Sequence, residues 1–196
     1  MEDFALSLEE KRVLIGLARS SMERYVRNGE LLDEQTELAR AFPVLAANRA
    51  CFVTLTVRGA LRGCIGSLEP RRPLLDDVRL NAISAAVQDS RFSPVGEREL
   101  AEIEVEISVL DVPKLLVGVA PDQLIAYLEK TKPGLILEYL GRRSTFLPSV
   151  WEALPSPQDF LSRLCRKQGS PPTCWRDPRA SMSTYGSIHF TESEVR

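Results

Sequence analysis

Between Glu102 and Leu110 the chain alternates without a break. Ile103, Val105, Ile107 and Val109 are apolar, and Glu104, Glu106 and Ser108 between them are polar. Residues two apart on a strand share a face, so this segment reads as a strand with one dry and one wet side. Strands of a parallel sheet are covered on both faces and read as continuous apolar runs; a half-wet strand belongs to an antiparallel sheet. The rest of the chain must therefore supply antiparallel partners for this strand and helices to cover its dry face.

A partner is found upstream. Phe52 to Val57 is β-branched and alternating, Arg58-Gly59-Ala60 makes a turn, and the return strand carries Leu61 to Gly66. Strand periodicity places Arg62 and Cys64 on one face and Leu61 and Ile65 on the other. Gly63 and Gly66 are poor strand formers. Glycine inside a strand marks a bulge or a place where another group approaches the backbone closely.

Helix signals are equally local. Ser7-Leu8-Glu9-Glu10 is a capping box, Leu14, Leu17, Ala18, Met22 and Tyr25 recur at helical spacing, and Asn28-Gly29 ends the helix. A second helix runs from Pro73 to about Gln88, with Asp76 and Asp77 in its first turn, where the helix dipole favours them. Asp89-Ser90-Arg91-Phe92-Ser93-Pro94 is a turn-rich loop, and Pro121 opens a short helix. Leu135 to Tyr139 and Ser144 to Leu147 form a second hairpin about Gly141-Arg142-Arg143. Ser156-Pro157 opens a last helix that Gly169 closes, and from Ser170 onward an ordered but irregular tail is expected. Strands and helices do not alternate regularly, so the fold class is α+β, with antiparallel sheets and packed helices. The expectation is a single domain over 1–196, or two interleaved sub-domains with a weak boundary near 113–121.

Composition narrows the function. The net charge of −2 supplies no cationic surface for nucleic acid. The short basic groups Arg71-Arg72, Arg142-Arg143 and Arg163 to Lys167 read as solvated faces. No apolar run approaches the ~20 residues needed to cross a bilayer. Met1-Glu2-Asp3-Phe4 is acidic where a signal peptide is basic, so the cytoplasm is the expected location. There the four cysteines, none in a C-x-x-C pair, should be free thiols.

Metal and triad chemistry find little support. His189 is the only histidine, so sites needing two or three histidines are impossible within one chain. A mixed Cys165, Cys174 and His189 site has ligand types that zinc accepts, but its spacing matches no standard pattern. Cys165 also lies where a core cysteine of its helix would. No nucleophile elbow, P-loop or dinucleotide fingerprint occurs. Cys64 stands apart because glycines at i−1 and i+2 leave its backbone open. A cation near a thiol favours the reactive thiolate, and Arg62 shares its expected face. The plain alternative is a small buried hydrophobe.

At this hairpin the chain resembles the AMMECR family. Leu61-Arg62-Gly63-Cys64-Ile65-Gly66 is similar to that family's signature hexapeptide. Asp89-Ser90-Arg91-Phe92-Ser93-Pro94 followed by Glu99-Leu100 resembles its D-x-R-F-x-P element, and Glu104 to Leu110 its I-S-V-L strand. Phe146 to Val150 resembles its L-P-x-V element, and Phe160-Leu161, Cys165, Lys167 and Gly169 its next helix. Tyr185, Phe190 and Glu192 match the closing stretch. The chain departs from the pattern at Pro133, where a polar Asp or His is expected before Gly134, and at Ser149, where Gln is usual.

The resemblance implies an α+β fold with a larger and a smaller sub-domain, a cleft near the hexapeptide and no cofactor. It also implies a setting, the AmmeMemoRadiSam system, in which this chain would be component A. The partners would be a Memo-like protein and a radical S-adenosylmethionine protein. Two functions fit. One is a catalytic or substrate-carrying site at Cys64 tuned by Arg62, with Gly63, Gly66, Arg91 and Glu69 around a small anionic substrate. The other is a non-enzymatic adaptor that docks a partner through the glycine-rich hairpin.

Overall fold

A computed structural model describes residues 4–33 and 35–196; Met1 to Asp3, which carry the acidic N-terminus, and Glu34 lie outside the described residues. The helices and strands follow in the order α1 (Leu8–Asn28), α2 (Thr36–Ala41), β1 (Cys51–Val57), β2 (Ala60–Gly66), α3 (Leu74–Val87), β3 (Ile103–Leu110) and β4 (Lys114–Leu115). Then come α4 (Pro121–Thr131), β5 (Gly134–Tyr139), β6 (Arg142–Phe146), α5 (Val150–Ala153), α6 (Pro157–Lys167), β7 (Ser181–Tyr185), β8 (Ser187–Thr191) and α7 (Glu192–Val195). The strands form two four-stranded sheets, ordered β2-β1-β3-β8 and β4-β7-β5-β6, and the fold is α+β.

The chain divides into two compact units. The first runs up to Asp111 and includes Ile188–Arg196; the second is Val112–Ser187.

In the first unit the alternation does what strand periodicity requires. Val53 and Leu55 of β1 and Val105, Ile107 and Val109 of β3 are fully buried. They pack with Leu14, Leu17, Ala18 and Met22 of α1 and Leu75, Val78, Ala82 and Ala85 of α3. Fully burying an aliphatic side chain stabilises by roughly 1.5–3 kcal/mol, so this face holds the sheet to its helices. Ser7 caps α1 with the full reciprocal box to Glu10, and Gly29 closes it in the left-handed conformation. Arg19 of α1 ties down the end of the chain: it bonds the Leu100 and Ile103 carbonyls and the carboxylate of Glu192.

The second unit is built on Phe160, Leu161 and Leu164 of α6, Leu124 and Leu128 of α4, and Leu135 and Leu137 of β5. Trp151 stacks on Phe160 with ring centroids 3.8 Å apart, and its indole N–H donates to the Pro133 carbonyl at 2.8 Å.

Both hairpins use two-residue turns in which both central residues have positive φ: Arg58 and Gly59 in one, Leu140 and Gly141 in the other. That backbone twist matches the twist of the flanking strands.

The tail departs from expectation. Instead of an irregular segment after Ser170, β7, β8 and α7 follow. Ser181-Met182-Ser183-Thr184-Tyr185 carries no strand pattern that stands out in the sequence. It becomes a strand because β4 and β5 offer it backbone partners on both sides.

Candidate functional site

The second strand of the first hairpin, β2, lies at the edge of its sheet. Its pairing with β1 joins Thr54 to Cys64 and Leu55 to Gly63, then shifts so that Thr56 pairs with Leu61. Arg62 is the extra residue, a β-bulge that bends an edge strand. The bulge alters the expected faces. Ile65 packs on the core as anticipated. Leu61, opposite Thr56, falls on the face of Thr54 and Cys64 and is exposed. Strict alternation through Arg62 cannot survive an unpaired residue.

Gly63 meets the other condition read from its sequence. A Cβ there would overlap the Ala85 carbonyl oxygen of α3. The strand thus lies directly on helix backbone beside Cys64. A Cβ at Gly66 would run into the Phe52 ring and the Cys51 carbonyl.

An edge residue has N–H and C=O groups with no neighbouring strand to meet them. At Cys64 a side-chain pair takes that place. Asp89 Oδ2 accepts the Cys64 N–H at 2.9 Å, and Arg91 Nη2 donates to the Cys64 carbonyl at 3.4 Å. The two side chains are themselves joined by a fork: Arg91 Nε to Asp89 Oδ1 at 2.9 Å and Nη2 to Oδ2 at 2.6 Å. The Arg91 backbone N–H also donates to Oδ1 at 3.2 Å. The Arg91 hydrogen bond holds the Asp89 carboxyl far below the usual carboxylate range, against a burial that alone would raise it. Arg91 is raised in turn, mainly by its hydrogen bond to Asp89.

A second buried carboxylate fixes the open end of the hairpin. Asp77 of α3, 2% exposed, accepts the Cys51 N–H at 2.9 Å and the Ser67 hydroxyl at 2.7 Å. Asn81, one turn on, donates to the Cys51 carbonyl at 3.2 Å and to Asp77 at 3.0 Å. The hairpin is thus held from the first turn of α3 and again from the loop just beyond its end.

The remaining residues singled out in the sequence are placed as follows. Arg62 forms its own fork with Glu99, at 2.8 and 3.1 Å, and donates to the Ser93 carbonyl at 2.9 Å. Arg62, and then the Gly96 N–H, lower the Glu99 carboxyl. Glu69 pairs with Arg71 in the exposed turn after β2. Cys64, Arg91, Gly63 and Gly66 are brought together at one strand edge, and Arg62 is anchored beside them.

The register adds two residues that sequence reasoning did not single out. Thr54 pairs with Cys64 on one side and with Glu106 on the other, so a thiol, a hydroxyl and a carboxylate share one cross-strand row on the sheet face away from the core. The Thr54 hydroxyl donates to Cys64 Sγ at 3.4 Å. The wet positions of the alternating strand were the available signal, but they do not say which wet residue meets which.

The other thiols are of a different kind. Cys51, Cys165 and Cys174 are buried. Burial first of all pushes the Cys51 thiol up, and it pushes Cys174, which is hydrogen-bonded to Cys165, up to about 12. Both stay as inert thiols. His189 is exposed on β8, and no group of three His, Cys, Asp or Glu side chains suited to a metal occurs among the described residues. What the arrangement can do chemically is present one accessible thiol, rigidly, beside a hydroxyl, with a guanidinium on its backbone carbonyl.

Comparison with known proteins agrees along nearly the whole chain. The sequence model of the family described as AMMECR1 matches residues 15–190. A protein of Methanothermobacter thermautotrophicus is 38% identical over 95% of this chain and 96% of its own length. A protein of Methanopyrus kandleri is 36% identical over 96% and 91%. The crystal structure of an uncharacterized protein from Pyrococcus horikoshii superposes with a TM-score of 0.89 at 32% identity, covering 98% of this chain and 96% of that one.

Proposed function

The chain belongs to the AMMECR1 family, and from that premise we propose that it works through the Cys64 thiol as component A of an AmmeMemoRadiSam system in the cytoplasm. Its partners in that reading are a Memo-like protein and a radical S-adenosylmethionine protein.

One observation carries the reading. The Asp89–Arg91 pair grips both backbone groups of Cys64. Asp77 and Asn81 hold the Cys51 backbone in the same way, but Cys51 and Cys165 are fully buried in the two cores. Cys64 instead is partly open on a polar face. Its thiolate is the nucleophile. Arg91, whose side chain is 55% exposed, is the contact for an anionic group on a small substrate. Gly63 and Gly66 keep the strand close to its supports, Arg62 positions the bulge through Glu99, and Glu69 borders the strand end.

A second reading is favoured by a different fact: Arg62 and Arg91 are both already committed to carboxylates of the chain itself. In that reading the polar row is a docking face and Cys64 packs against a protein partner.

Alkylation of the native protein, followed by peptide mass spectrometry from pH 6 to 9, separates the two. In the thiol reading Cys64 labels well before Cys51 and Cys165. Arg91→Ala then changes its labelling rate, because Arg91 holds the Cys64 carbonyl, and Arg62→Ala changes it less. A Cys64 that labels as slowly as Cys165 at every pH sinks the thiol reading and leaves the adaptor.

A further inference from the structure

We infer that the second unit carries an anion site for the phosphate group of a small phosphate monoester, at the tip of the β5–β6 hairpin. A concave pocket of about 370 Å³ opens there, lined by Glu138, Tyr139, Arg142, Arg143, Arg179 and Ser181 among others. Three guanidinium groups face one carboxylate in that lining. Asp177 pairs with Arg179, so the net excess is one positive charge, rising to two once Glu138 is displaced, against the about −1.5 to −2 charges of a phosphate monoester at neutral pH. The volume falls within the range of small-molecule sites.

The arginines come from separate places and are held in different ways. Arg179 is pre-ordered: Asp177 accepts its Nε at 2.9 Å, its Nη2 at 2.7 Å and its own backbone N–H at 2.9 Å. Its guanidinium lies 5.6 Å from the Tyr139 ring centroid, and its side chain is 63% exposed. Nη1 has no partner in this fork and is open to a ligand oxygen. Arg142 is steered by the Gly169 carbonyl, which accepts Nη1; its Nε and Nη2 are not used in that bond. Arg143 meets Glu138 at 3.1 Å in an exposed pair. Such pairs are worth little in water, so a dianion can displace Glu138. Planar forks matched to phosphate oxygens are the chemistry for which arginine is suited. Ser181, in register with Glu138, adds a neutral donor.

Isothermal titration of the whole protein at low ionic strength, with glycerol phosphate and with inorganic phosphate, tests the site. The expected result is saturable one-to-one binding that strengthens as the phosphate loses its second proton near pH ~6. Arg179→Lys keeps the charge but loses the fork, and should weaken binding by about tenfold or more. Arg142→Gln, which removes the contact to the Gly169 carbonyl, should do the same and serves as a second probe. Arg166→Gln, an exposed arginine of α6, should change nothing. Equal affinity in wild type, Arg179→Lys and Arg142→Gln overturns the site. So does the absence of saturation, an equal loss in Arg166→Gln, or a response confined to phosphatidate vesicles.

Discussion

Asp89–Arg91 in the first unit and Asp177–Arg179 in the second are built alike. In each, an aspartate accepts the backbone N–H of the residue two places on, and that residue's arginine folds back to fork the same carboxylate. Their surroundings differ. The Asp89 side chain is 5% exposed and its free lone pair takes the backbone of Cys64. The Asp177 side chain is 23% exposed and takes the Tyr139 hydroxyl at 3.0 Å. The same local device therefore closes a strand edge in one unit and holds a surface phenol and guanidinium in the other. Burial, not the fork, decides which of the two the fold depends on.

That difference predicts unequal costs. Asp89→Ala leaves the Cys64 N–H unsatisfied and a guanidinium unpaired, so it should lower unfolding stability by about 2–4 kcal/mol. Asp177→Ala should cost clearly less, since water can replace its partners. Urea unfolding of both variants at pH 7 measures this, and equal losses would break the contrast. Acid sharpens it. The Asp89 carboxyl is depressed in the folded state, so its contribution is present above its unfolded value near ~3.9 and is lost as pH falls below that. Asp89→Asn should flatten the acid limb of the stability curve below pH ~4. Asp177 is depressed as well but is better solvated, so Asp177→Asn should flatten it less.

A smaller effect is expected at the seat of the first pair. Gly63→Ala must push β2 off the Ala85 carbonyl, a backbone atom that cannot rotate away. Forcing extra volume into a packed site costs about 1–3 kcal/mol. The same unfolding experiment should show this loss, and native labelling of Cys64 should change with it. The Tyr139 contacts in the second unit should be untouched.

The mildest change is expected at Tyr139. Its phenol is raised, first by the hydrogen bond to Asp177. Asp177→Asn should bring that titration down toward the ordinary ~10 in an ultraviolet absorbance titration, with no change in Cys64 labelling. A titration that does not move would separate Asp177 from Tyr139 and leave the second pair as an ion pair alone.

Much of the fold could be read directly. The capping box at Ser7, the alternation from Ile103 to Val109 and the turn at Gly59 each act through neighbours a few residues away, and each formed the expected element. The strand at Ser181 could not be read, because its order comes from β4 and β5 rather than from its own apolar pattern. At the candidate site the hexapeptide announced a close approach at Gly63, but not that α3 makes it.

What the sequence by itself determined is what short-range chemistry can enforce: helix starts, strand periodicity and tight turns. Only the tertiary structure decided the bulge at Arg62, the row of Cys64, Thr54 and Glu106, and the capture of the Cys64 backbone by Asp89. Those depend on pairing register and on which strand is left at the sheet edge. Both are set by long-range packing of a whole face, and no local run of residues encodes them.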